Sequence, residues 1–508
     1  MSRPVGTFCL VLHTHLPWLA HHGSWPVGEE WLHQAWAHSY QRVLGVVDRL
    51  AEEGRTDLLT LGVTPIVAAQ LDDPYCLARQ RTWLADWYWR AIGMTAETDP
   101  ETRALGRWEA EQAHEAITDF ERWSSGGSPV LRGVVDSQAI ELLGGPLAHP
   151  FSPLLDPDVL DFELATGLHD TRLRLGRTPT GIWAPECGYR PGLAEHYAKA
   201  GIGHFLLDGP TLRHIGAGTT EAHPIGDTGV LAFGRDLDVT YRVWSPRRGY
   251  PGGKWYRDFH SFDHRWGFRH NRVTSPTTPS HEKAPYDPEA AEAAALRDAH
   301  DFVATVRARL TDIADERDGR PGLTVAAYDT ELFGHWWYEG PRWLEHVLRL
   351  LPEAGVQVTT LTGARDAGLV GPPVEPGSGS WGSGKDWHIW DGEDVHGIVA
   401  DNSRAQARTL ELLKRLDAEQ GRDPVADQVV RDLVLSLQSD WAFMISHDSA
   451  AGYARDRHAA HHWALAELTD HVEQHGWTDP RTVDLAARQR GVDGPFGHLD
   501  ARLLGYRR

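Results

Sequence analysis

Two short acidic motifs follow apolar runs that lie far apart in this sequence. The motif Trp-Ala-Pro-Glu ends at Glu186 and the motif Tyr-Asp-Thr-Glu contains Asp329; the apolar runs before them are residues 180–182 and 323–327. Such runs are typical of buried parallel strands, and catalytic residues of barrel folds collect at the carboxyl ends of strands. The pattern predicts that Glu186 and Asp329 meet there, where two carboxyl groups can cleave a glycosidic bond. Taken alone, each acid is as consistent with an ordinary loop residue or a helix N-cap as with a catalytic residue.

Short apolar runs with β character alternate with helical stretches along the first 370 residues. The runs are residues 7–12, 58–63, 130–135, 181–183, 204–207, 229–233, 323–327 and 356–361. This alternation predicts an α/β fold, in which a parallel sheet is connected by crossover helices. Residues 76–128 lack a strand signal, and the tryptophans among them recur at helical spacing. We therefore expect a helical insertion at 76–128.

A segment rich in glycine and proline, residues 371–380, predicts a domain boundary. Beyond it, residues 400–420, 425–444 and 459–475 have helical patterns. The expected organisation is a catalytic domain at 1–370 and an all-helical domain at 371–508. Residues 245–290 are rich in proline, glycine and aromatic residues, which predicts a long structured loop, and such loops are usually functional.

Composition disfavours several classes of partner. Acidic residues outnumber basic residues by 71 to 50, and the net charge of −21 disfavours nucleic acids and anionic membranes. The three cysteines show no metal-ligand spacing and do not predict a disulfide framework. The first apolar run stops at His13, too early for a signal peptide, and no run is long enough to cross a bilayer. We expect a cytoplasmic protein. The 22 tryptophans suit a neutral, polyhydroxylated ligand.

His13 and His15 are two positions apart at the end of the first predicted strand, so their side chains point to the same face. Two interpretations follow. With His149 and Asp329 they form a ligand set for a metal ion, which is the pattern of a metal-dependent polysaccharide deacetylase. As neutral imidazoles they instead form hydrogen bonds with sugar hydroxyls. For an arbitrary pair of histidines two positions apart, ordinary packing in the core or at the surface is about as frequent as a functional role.

Three further segments combine aromatic residues with polar or glycine residues. They are residues 328–338, 380–390 and 438–441. Glycine lets a backbone approach a ligand closely, and tryptophan offers a ring face for stacking. Taken singly, these segments are also explained by a glycine-rich turn or by a helix with one buried tryptophan.

Together the motifs resemble glycoside hydrolase family 57, and within it the α-1,4-glucan branching enzymes. The matching stretches occur in the family's order: residues 13–17, Trp25 with 28–31, 141–155, 181–189, 243–245 with 249–252, 327–337, 380–390 and 438–441. The resemblance implies an incomplete (β/α)7 barrel with a helical insertion and a C-terminal helical domain that closes the cleft. It also implies retention of anomeric configuration, with Glu186 as nucleophile and Asp329 as general acid/base.

The resemblance further implies roles for substrate-binding residues. The histidines implied to line the subsite of the cleaved glucose are His13, His15 and His149; the tryptophans implied to stack on glucan are Trp25, Trp244, Trp381 and Trp390; and Asp440 is implied to reach in from the helical domain. No metal or other cofactor is expected. The expected partner is an α-1,4-glucan such as amylose or a glycogen-like polysaccharide, bound by a monomer or a small homo-oligomer.

Other functions are kept as alternatives. Within the same scaffold these are an α-amylase and a 4-α-glucanotransferase; outside it they are the deacetylase and a glucan-binding protein without turnover. One segment departs from the branching members, which carry a tyrosine-bearing loop after the fifth strand: residues 216–228 are short and contain no tyrosine. This departure predicts a larger share of hydrolysis, unless Tyr250 and Tyr256 of the long loop substitute.

Overall fold

The computed structural model describes residues 4–245, 249–275, 277–416 and 421–505. Across these residues the chain forms one sheet of nine strands. The strands are β1 (Thr7–Thr14), β2 (Leu59–Val63), β3 (Ile140–Gly144), β4 (Gly181–Ile182), β5 (His204–Asp208), β6 (His223–Pro224), β7 (Leu231–Arg235), β8 (Leu323–Asp329) and β9 (Gln357–Thr359). Their order is β6-β7-β5-β4-β3-β2-β1-β8, with β9 beside the start of β1. All pairs are parallel except β6 with β7.

The sheet curves until its two ends approach each other. The backbone N–H of Asp236, directly after β7, donates a hydrogen bond to the carbonyl oxygen of Val325 in β8 (2.8 Å). Alternation along each strand then divides the core in two. Cys9, Val11 and Val325 pack in a cluster inside the curve, whereas the neighbours of Cys9 and Val11 in β1 belong to the cluster that packs under the helices. Both faces of the strands are therefore buried, which explains their near-continuous apolar sequences.

The helices alternate with the strands and then form the C-terminal region alone. They are α1 (Glu29–Gln34), α2 (Gln41–Glu52), α3 (Pro65–Asp72), α4 (Pro74–Met94), α5 (Pro100–Phe120), α6 (Gly127–Asp136), α7 (Pro157–Leu175), α8 (Leu193–Lys199), α9 (Gly209–Arg213), α10 (Leu237–Trp244), α11 (Pro288–Glu316), α12 (Gly340–Glu353), α13 (Leu361–Asp366), α14 (His388–Asp391), α15 (His396–Leu413), α16 (Pro424–Ser436), α17 (Ser439–Ser446), α18 (Ala451–His475), α19 (Pro480–Val492) and α20 (Arg502–Gly505). A π-helical segment, Ala35–Tyr40, joins α1 to α2. No helix of the described residues is both long and apolar enough to cross a bilayer.

The dipeptide Asp-Pro starts six of these helices, namely α4, α5, α7, α11, α16 and α19. In each, the aspartate carboxylate accepts hydrogen bonds from backbone N–H groups of the first turn. Proline at the first helical position loses nothing, because the N–H that it lacks has no partner inside the helix. The sequence thus sets these helix starts locally.

Two predicted elements were wrong. Residues 130–135 form part of α6 and not a strand; the third strand is β3, at Ile140–Gly144. In α6 the buried side chains Val130, Leu131 and Val134 recur with the helical period, which a short run of valine and leucine does not reveal. The helix predicted at 425–444 is interrupted after Ser436 and restarts at Ser439. For the helix predicted at 400–420, α15 spans His396–Leu413, and residues 417–420 lie outside the described residues.

Thr220 of segment 216–228 lies beside the amino end of β8, and Thr219 lies beside Asp236, directly after β7. The N–H of Leu323, the first residue of β8, donates to the carbonyl oxygen of Thr220 (2.8 Å). Asp329 is at the other end of that strand, about 20 Å away at roughly 3.3 Å per residue. The position of this segment does not test the larger share of hydrolysis, which stays a prediction. In the long loop predicted at 245–290, residues 246–248 and 276 lie outside the described residues.

Candidate active site

Strand alternation directs His13 and Asp329 into the same space. His13 continues the inward-facing positions Cys9 and Val11, and Asp329 continues the inward-facing position Val325. The two residues are register partners on the neighbouring strands β1 and β8. Both therefore project from the carboxyl edge of the sheet, where the turn after β4 also delivers Glu186.

Glu186 is held by residues that lie far away in the sequence. Its Oε2 accepts a hydrogen bond from the indole N–H of Trp381 (2.8 Å), and its Oε1 accepts one from the hydroxyl of Ser439 (2.7 Å). The backbone of Glu186 is left-handed, with φ of 60°. For a residue with a side chain this conformation costs about 1–2 kcal/mol, and such strain clusters at functional sites. The turn thus fixes the direction of the carboxylate at an energetic cost.

Asp329 is in the opposite situation. Its side chain is partly buried, and no described residue donates a hydrogen bond to its carboxyl group. Burial raises the pKa of Asp329 to about 8, with a further increase from the negative charge of Glu186 and a decrease from the guanidinium of Arg235. Burial also raises the pKa of Glu186 to about 7; Asp440 adds to that rise, and the hydrogen bonds from Ser439 and Trp381 oppose it. The charged form of Glu186 is thus stabilised by two hydrogen bonds that Asp329 lacks among the described residues.

A chain of hydrogen bonds connects Glu186 to two histidines. The Ser439 hydroxyl lies 3.0 Å from Nδ1 of His149, whose Nε2 lies 3.0 Å from Nε2 of His13. Because Ser439 gives its proton to Glu186, it accepts from the Nδ1–H of His149. The Nε2 of His149 then accepts from the Nε2–H of His13, which leaves Nδ1 of His13 without a proton. That atom has no hydrogen-bond partner among the described residues.

Burial keeps both rings of this chain uncharged. Desolvation lowers the pKa of His13 and of His149 well below the usual value, and the positive charge that His15 can carry lowers both further. The rings are also stacked: His13 lies on Trp183 with 4.4 Å between ring centres, and His149 lies on His15 at 3.6 Å. Neutral, oriented imidazoles of this kind can form hydrogen bonds with sugar hydroxyls without attracting an anion.

His15 and Glu331 form a second polar group beside the first. Nε2 of His15 lies 2.9 Å from Oδ2 of Asp440, and its Nδ1 lies 3.0 Å from the hydroxyl of Thr64. The buried carboxyl of Glu331 accepts from the backbone N–H of His15 (3.1 Å) and from the hydroxyl of Tyr40 (2.6 Å). Burial raises the pKa of Glu331 to about 8, and the Asp329 charge raises it further. Glu331 therefore positions the turn that carries His15.

The donor set for a metal ion differs from the one predicted. Within the described residues, His15, His149 and Asp440 offer three ligand atoms within 4.8 Å of one another, and this group does not include Asp329. Two imidazoles and one carboxylate are a donor set that zinc accepts. In this structure the same nitrogen atoms form hydrogen bonds, His15 with Asp440 and His149 with His13.

The predicted tryptophans take different positions. Trp381 is half-buried and contacts the edge of Trp183, with 4.9 Å between ring centres. Trp25 and Trp244 are exposed by 57% and 36%. Trp390 is buried and stacked on Phe151 at 4.8 Å. Its ring face is therefore covered by protein, so the expectation that Trp390 stacks directly on glucan is corrected to a supporting role in the packing.

Three residues at the site have no role that the sequence predicts: Ser439, Arg235 and Glu331. Ser439 lies in the matching stretch 438–441, but its hydrogen bond to Glu186 joins residues far apart in the sequence. Arg235 ends β7, the position at which barrel folds place functional residues, and this signal was available. Its guanidinium pairs with Asp208 (2.8 Å) and lies 5.2 Å from the centre of the Trp381 ring. Glu331 lay inside a recognised motif, but its contact with His15 is a tertiary one.

The family model for glycosyl hydrolase family 57 matches residues 9–366, most of the chain. The chain belongs to this family. A second model, described as the C-terminal region of 1,4-alpha-glucan branching enzyme, matches residues 402–504. The recognised resemblance is thereby confirmed, and the helical C-terminal region is part of the match.

Known proteins similar to this family 57 chain extend over its whole length. A probable 1,4-alpha-glucan branching enzyme of Mycobacterium tuberculosis is 51% identical, over 99% of this chain and 99% of its own. The crystal structure of a family 57 branching enzyme from Thermococcus kodakaraensis, in complex with glucose and additives, is 28% identical with a TM-score of 0.92, over 99% and 97% of the two chains. An α-amylase from Thermotoga maritima, 24% identical, shares the fold with a TM-score of 0.87 over 99% of both chains. The chain thus has the α/β fold of the family with a helical C-terminal region.

Proposed function

We propose that this chain is a 1,4-α-glucan branching enzyme, which cuts an α-1,4 linkage and joins the released segment to another glucan through an α-1,6 linkage. One observation carries the proposal: the two carboxyl groups of the site are held differently, since Glu186 is buried and accepts two hydrogen bonds, whereas Asp329 is partly buried and accepts none from the described residues. The names of the relatives and the match of the C-terminal region support branching as the outcome.

The reaction proceeds by two displacements with Glu186 as nucleophile. In the first, a Glu186 carboxylate oxygen bonds to the anomeric carbon, while Asp329 donates its proton to the glycosidic oxygen that leaves. The hydrogen bonds from Trp381 and Ser439 support these roles, because they stabilise the charged form of Glu186, whereas burial and the negative charge of Glu186 raise the pKa of Asp329 and favour its protonated form. The product of this step is a glycosyl ester on Glu186 and a shortened glucan.

In the second displacement an acceptor hydroxyl takes the place of water. Asp329, now a carboxylate, removes the proton from the 6-hydroxyl of an acceptor glucan. The oxygen of that hydroxyl bonds to the anomeric carbon, and the ester bond to Glu186 breaks. His13, His15 and His149 contact the sugar that carries the reacting carbon, Trp381 flanks it, and Asp440 orients His15. Trp25 and Trp244 stack on glucan further out. Transfer exceeds hydrolysis when acceptor stacking excludes water.

The proposal includes the finer architecture. Seven parallel strands, from β1 to β5 with β7 and β8, form an incomplete (β/α)7 barrel in a catalytic domain at 1–370, with the insertion at 76–128 and the helical domain at 371–508. The hydrogen bond between Asp236 and Val325 supports near closure of the barrel.

No cofactor takes part in the proposed steps. Amylose or a glycogen-like polysaccharide is the substrate, in the cytoplasm, and neither a nucleic acid nor a membrane takes part. A monomer or a small homo-oligomer is sufficient.

Incubation with amylose tests the proposal. We expect new α-1,6 linkages, detected by proton NMR, to exceed new reducing ends. Reducing ends without α-1,6 linkages would instead assign the protein as an α-amylase, and redistribution of α-1,4 chain lengths alone would assign it as a 4-α-glucanotransferase. Binding of amylose without any product would identify the protein as a glucan-binding protein without catalytic turnover.

A further inference from the structure

A glycine-rich segment carries Trp381, one of the two residues that donate a hydrogen bond to the carboxylate of Glu186. The segment spans residues 379–385, and three of these seven residues are glycine. Glycine gives a backbone conformational freedom, so the local sequence does not hold the indole ring in place. The position of Trp381 therefore depends on contacts with other parts of the chain. One of them is the backbone N–H of Trp381, which donates to the carbonyl oxygen of Glu186 (2.9 Å).

Lys385 connects this segment to the sheet. Its Nζ donates to the carbonyl oxygen of Trp381 (3.0 Å) and lies 2.8 Å from Oδ2 of Asp208, the last residue of β5. The backbone of Lys385 is left-handed, with φ of 64°. A residue with a side chain adopts this conformation at a cost of about 1–2 kcal/mol, and strain of this kind clusters at functional sites. The strained lysine thus ties the backbone of Trp381 to the carboxyl edge of the sheet.

Asp208 holds a second cation as well. It is the register partner of Arg235, and the Nε–H of Arg235 donates to its Oδ1 (2.8 Å). The carboxylate is fully buried, and the side chains of Arg235 and Lys385 are 4% and 21% exposed. Two cations on one carboxylate leave one positive charge in excess, and the guanidinium of Arg235 lies 5.2 Å from the centre of the Trp381 ring. A cation over a ring face is attracted to it. We call Asp208, Arg235 and Lys385 the ionic support.

The stability of the fold alone does not explain the ionic support. Removing charged groups from water is costly, and apolar side chains of similar volume often stabilise a fold as well or better. The ionic support lies at the carboxyl ends of β5 and β7, the edge where barrel folds have their functional residues. Its contacts lead to the backbone and the ring of Trp381, whose indole N–H donates to Oε2 of Glu186 (2.8 Å). This arrangement indicates a role in the site.

We propose that Lys385 is a positioning residue, which together with Asp208 and Arg235 holds the indole of Trp381 against Glu186. This inference rests on the proposed function, in which Glu186 attacks as a carboxylate. Without Lys385 the segment has more freedom, and the indole N–H spends less time bonded to the carboxylate. The charged form of Glu186 then loses part of its stabilisation, whereas the histidines that contact the sugar are unchanged. We therefore expect an effect on kcat and not on KM.

The pH profile reports this positioning directly. Burial and then the negative charge of Asp440 raise the pKa of Glu186 to about 7, and the hydrogen bonds from Ser439 and Trp381 oppose that rise. A weaker bond from Trp381 therefore raises the pKa further. Because Glu186 must be ionised, the acidic limb of the profile moves to higher pH. The titratable groups that face Glu186 are the same in every variant below, namely Asp329, Cys187 and Asp440.

Lys385→Met is the first test, because it removes the charge and keeps an unbranched side chain. Asp208 retains its pair with Arg235, so the variant does not leave a buried carboxylate without a partner. On amylose at pH 7, kcat should fall by about tenfold, which corresponds to one lost contact of about 1.4 kcal/mol. KM should stay within about twofold, and the acidic limb should move to higher pH. Lys385→Arg keeps the charge and should restore most of kcat and the position of the limb.

A double-mutant cycle tests whether Lys385 acts through Trp381. Trp381→Phe keeps a ring and removes the indole N–H. If Lys385 acts through that N–H, adding Lys385→Met to Trp381→Phe should lower kcat by less than about a further twofold and leave the acidic limb where it is. Lys283→Met is the matched control, because Lys283 also pairs with a buried aspartate, Asp258, but in the long loop. It should leave the acidic limb in place.

Each other outcome has a defined meaning. An acidic limb that stays in place in Lys385→Met overturns the inference, even if activity and melting temperature fall together, because that combination reports a loss of packing alone. Additive effects in the double variant also overturn it, since Lys385 would then act elsewhere than on Trp381. Both outcomes leave the branching activity in place. Amylose turnover without α-1,6 linkages would refute branching, and the acidic limb would still decide this inference; a protein without any turnover would refute both.

Discussion

The two carboxyl groups of the site are held in opposite ways. Glu186 sits in a strained turn and receives hydrogen bonds from Ser439 and Trp381, whereas Asp329 ends a regular strand and receives none from the described residues. A nucleophile must be charged and aimed, and hydrogen bonds to the charged form do both. A general acid/base must exchange its proton twice in each cycle, and strong bonds to the charged form would oppose that. The difference in support therefore matches the difference in proposed roles.

The largest expected effect comes from Glu186→Gln. The amide keeps the shape of the side chain and cannot form the glycosyl ester, so turnover should fall by several orders of magnitude while glucan binding persists. The measurements are steady-state rates on amylose and calorimetric titration with maltoheptaose. Activity within tenfold of wild type would remove Glu186 from its role.

Asp329→Asn tests the carboxyl group that receives no hydrogen bond from the described residues. It should be nearly inactive on amylose, because no group protonates the leaving oxygen, but it should react with an α-glucosyl fluoride, whose leaving group needs no proton. Fluoride release and amylose turnover are compared in the same preparation. If the fluoride is no better a donor than amylose, the general-acid assignment fails.

Ser439→Ala weakens the support of Glu186 without removing the carboxylate. A charge-assisted hydrogen bond is worth about 1.5–3 kcal/mol, so kcat/KM at pH 7 should fall by about ten- to a hundredfold. Loss of a donor to the charged form raises the pKa of Glu186, which is about 7 in the intact protein. Because Glu186 must be ionised, the acidic limb of the pH profile should move to higher pH, towards the basic limb set by Asp329 near 8.

Two matched variants control this experiment. Ser439→Thr keeps the hydroxyl and should restore most of the activity and the position of the acidic limb. Ser446→Ala removes a hydroxyl from the same helix, α17, that donates to the carbonyl oxygen of Ile389 (2.6 Å) and not to the site. An acidic limb that stays in place in Ser439→Ala would mean that the serine does not stabilise the charged form of Glu186.

The smallest expected effect is that of chelation. In the proposed site His15, His149 and Asp440 form hydrogen bonds and do not hold a metal ion, so exhaustive treatment with EDTA should leave amylose turnover unchanged. Elemental analysis of the untreated protein accompanies the assay. Stoichiometric metal together with chelator-sensitive activity would favour the deacetylase interpretation.

The sequence was informative where structure is determined locally. Strand periodicity and the strand-end acids predicted an α/β sheet with Glu186 and Asp329 at the same edge, and the Asp-Pro dipeptides specify six helix starts. Periodicity failed for residues 130–135, because a short apolar run satisfies both a strand and a buried helical face. It also missed the interruption between α16 and α17, since Leu437 and Gln438 carry no local helix-breaking signal.

The sequence by itself determined the family and the two strands that lead to His13 and Asp329, because these depend on motifs in a fixed order or on residues close together in the chain. Only the tertiary structure decided how the acids are supported. Ser439 lies 253 residues from Glu186, and Trp390 turned out to be covered by Phe151. Hydrogen bonds and burial between distant segments depend on how helices and loops pack against the sheet, and packing of that kind leaves no periodic pattern in the sequence.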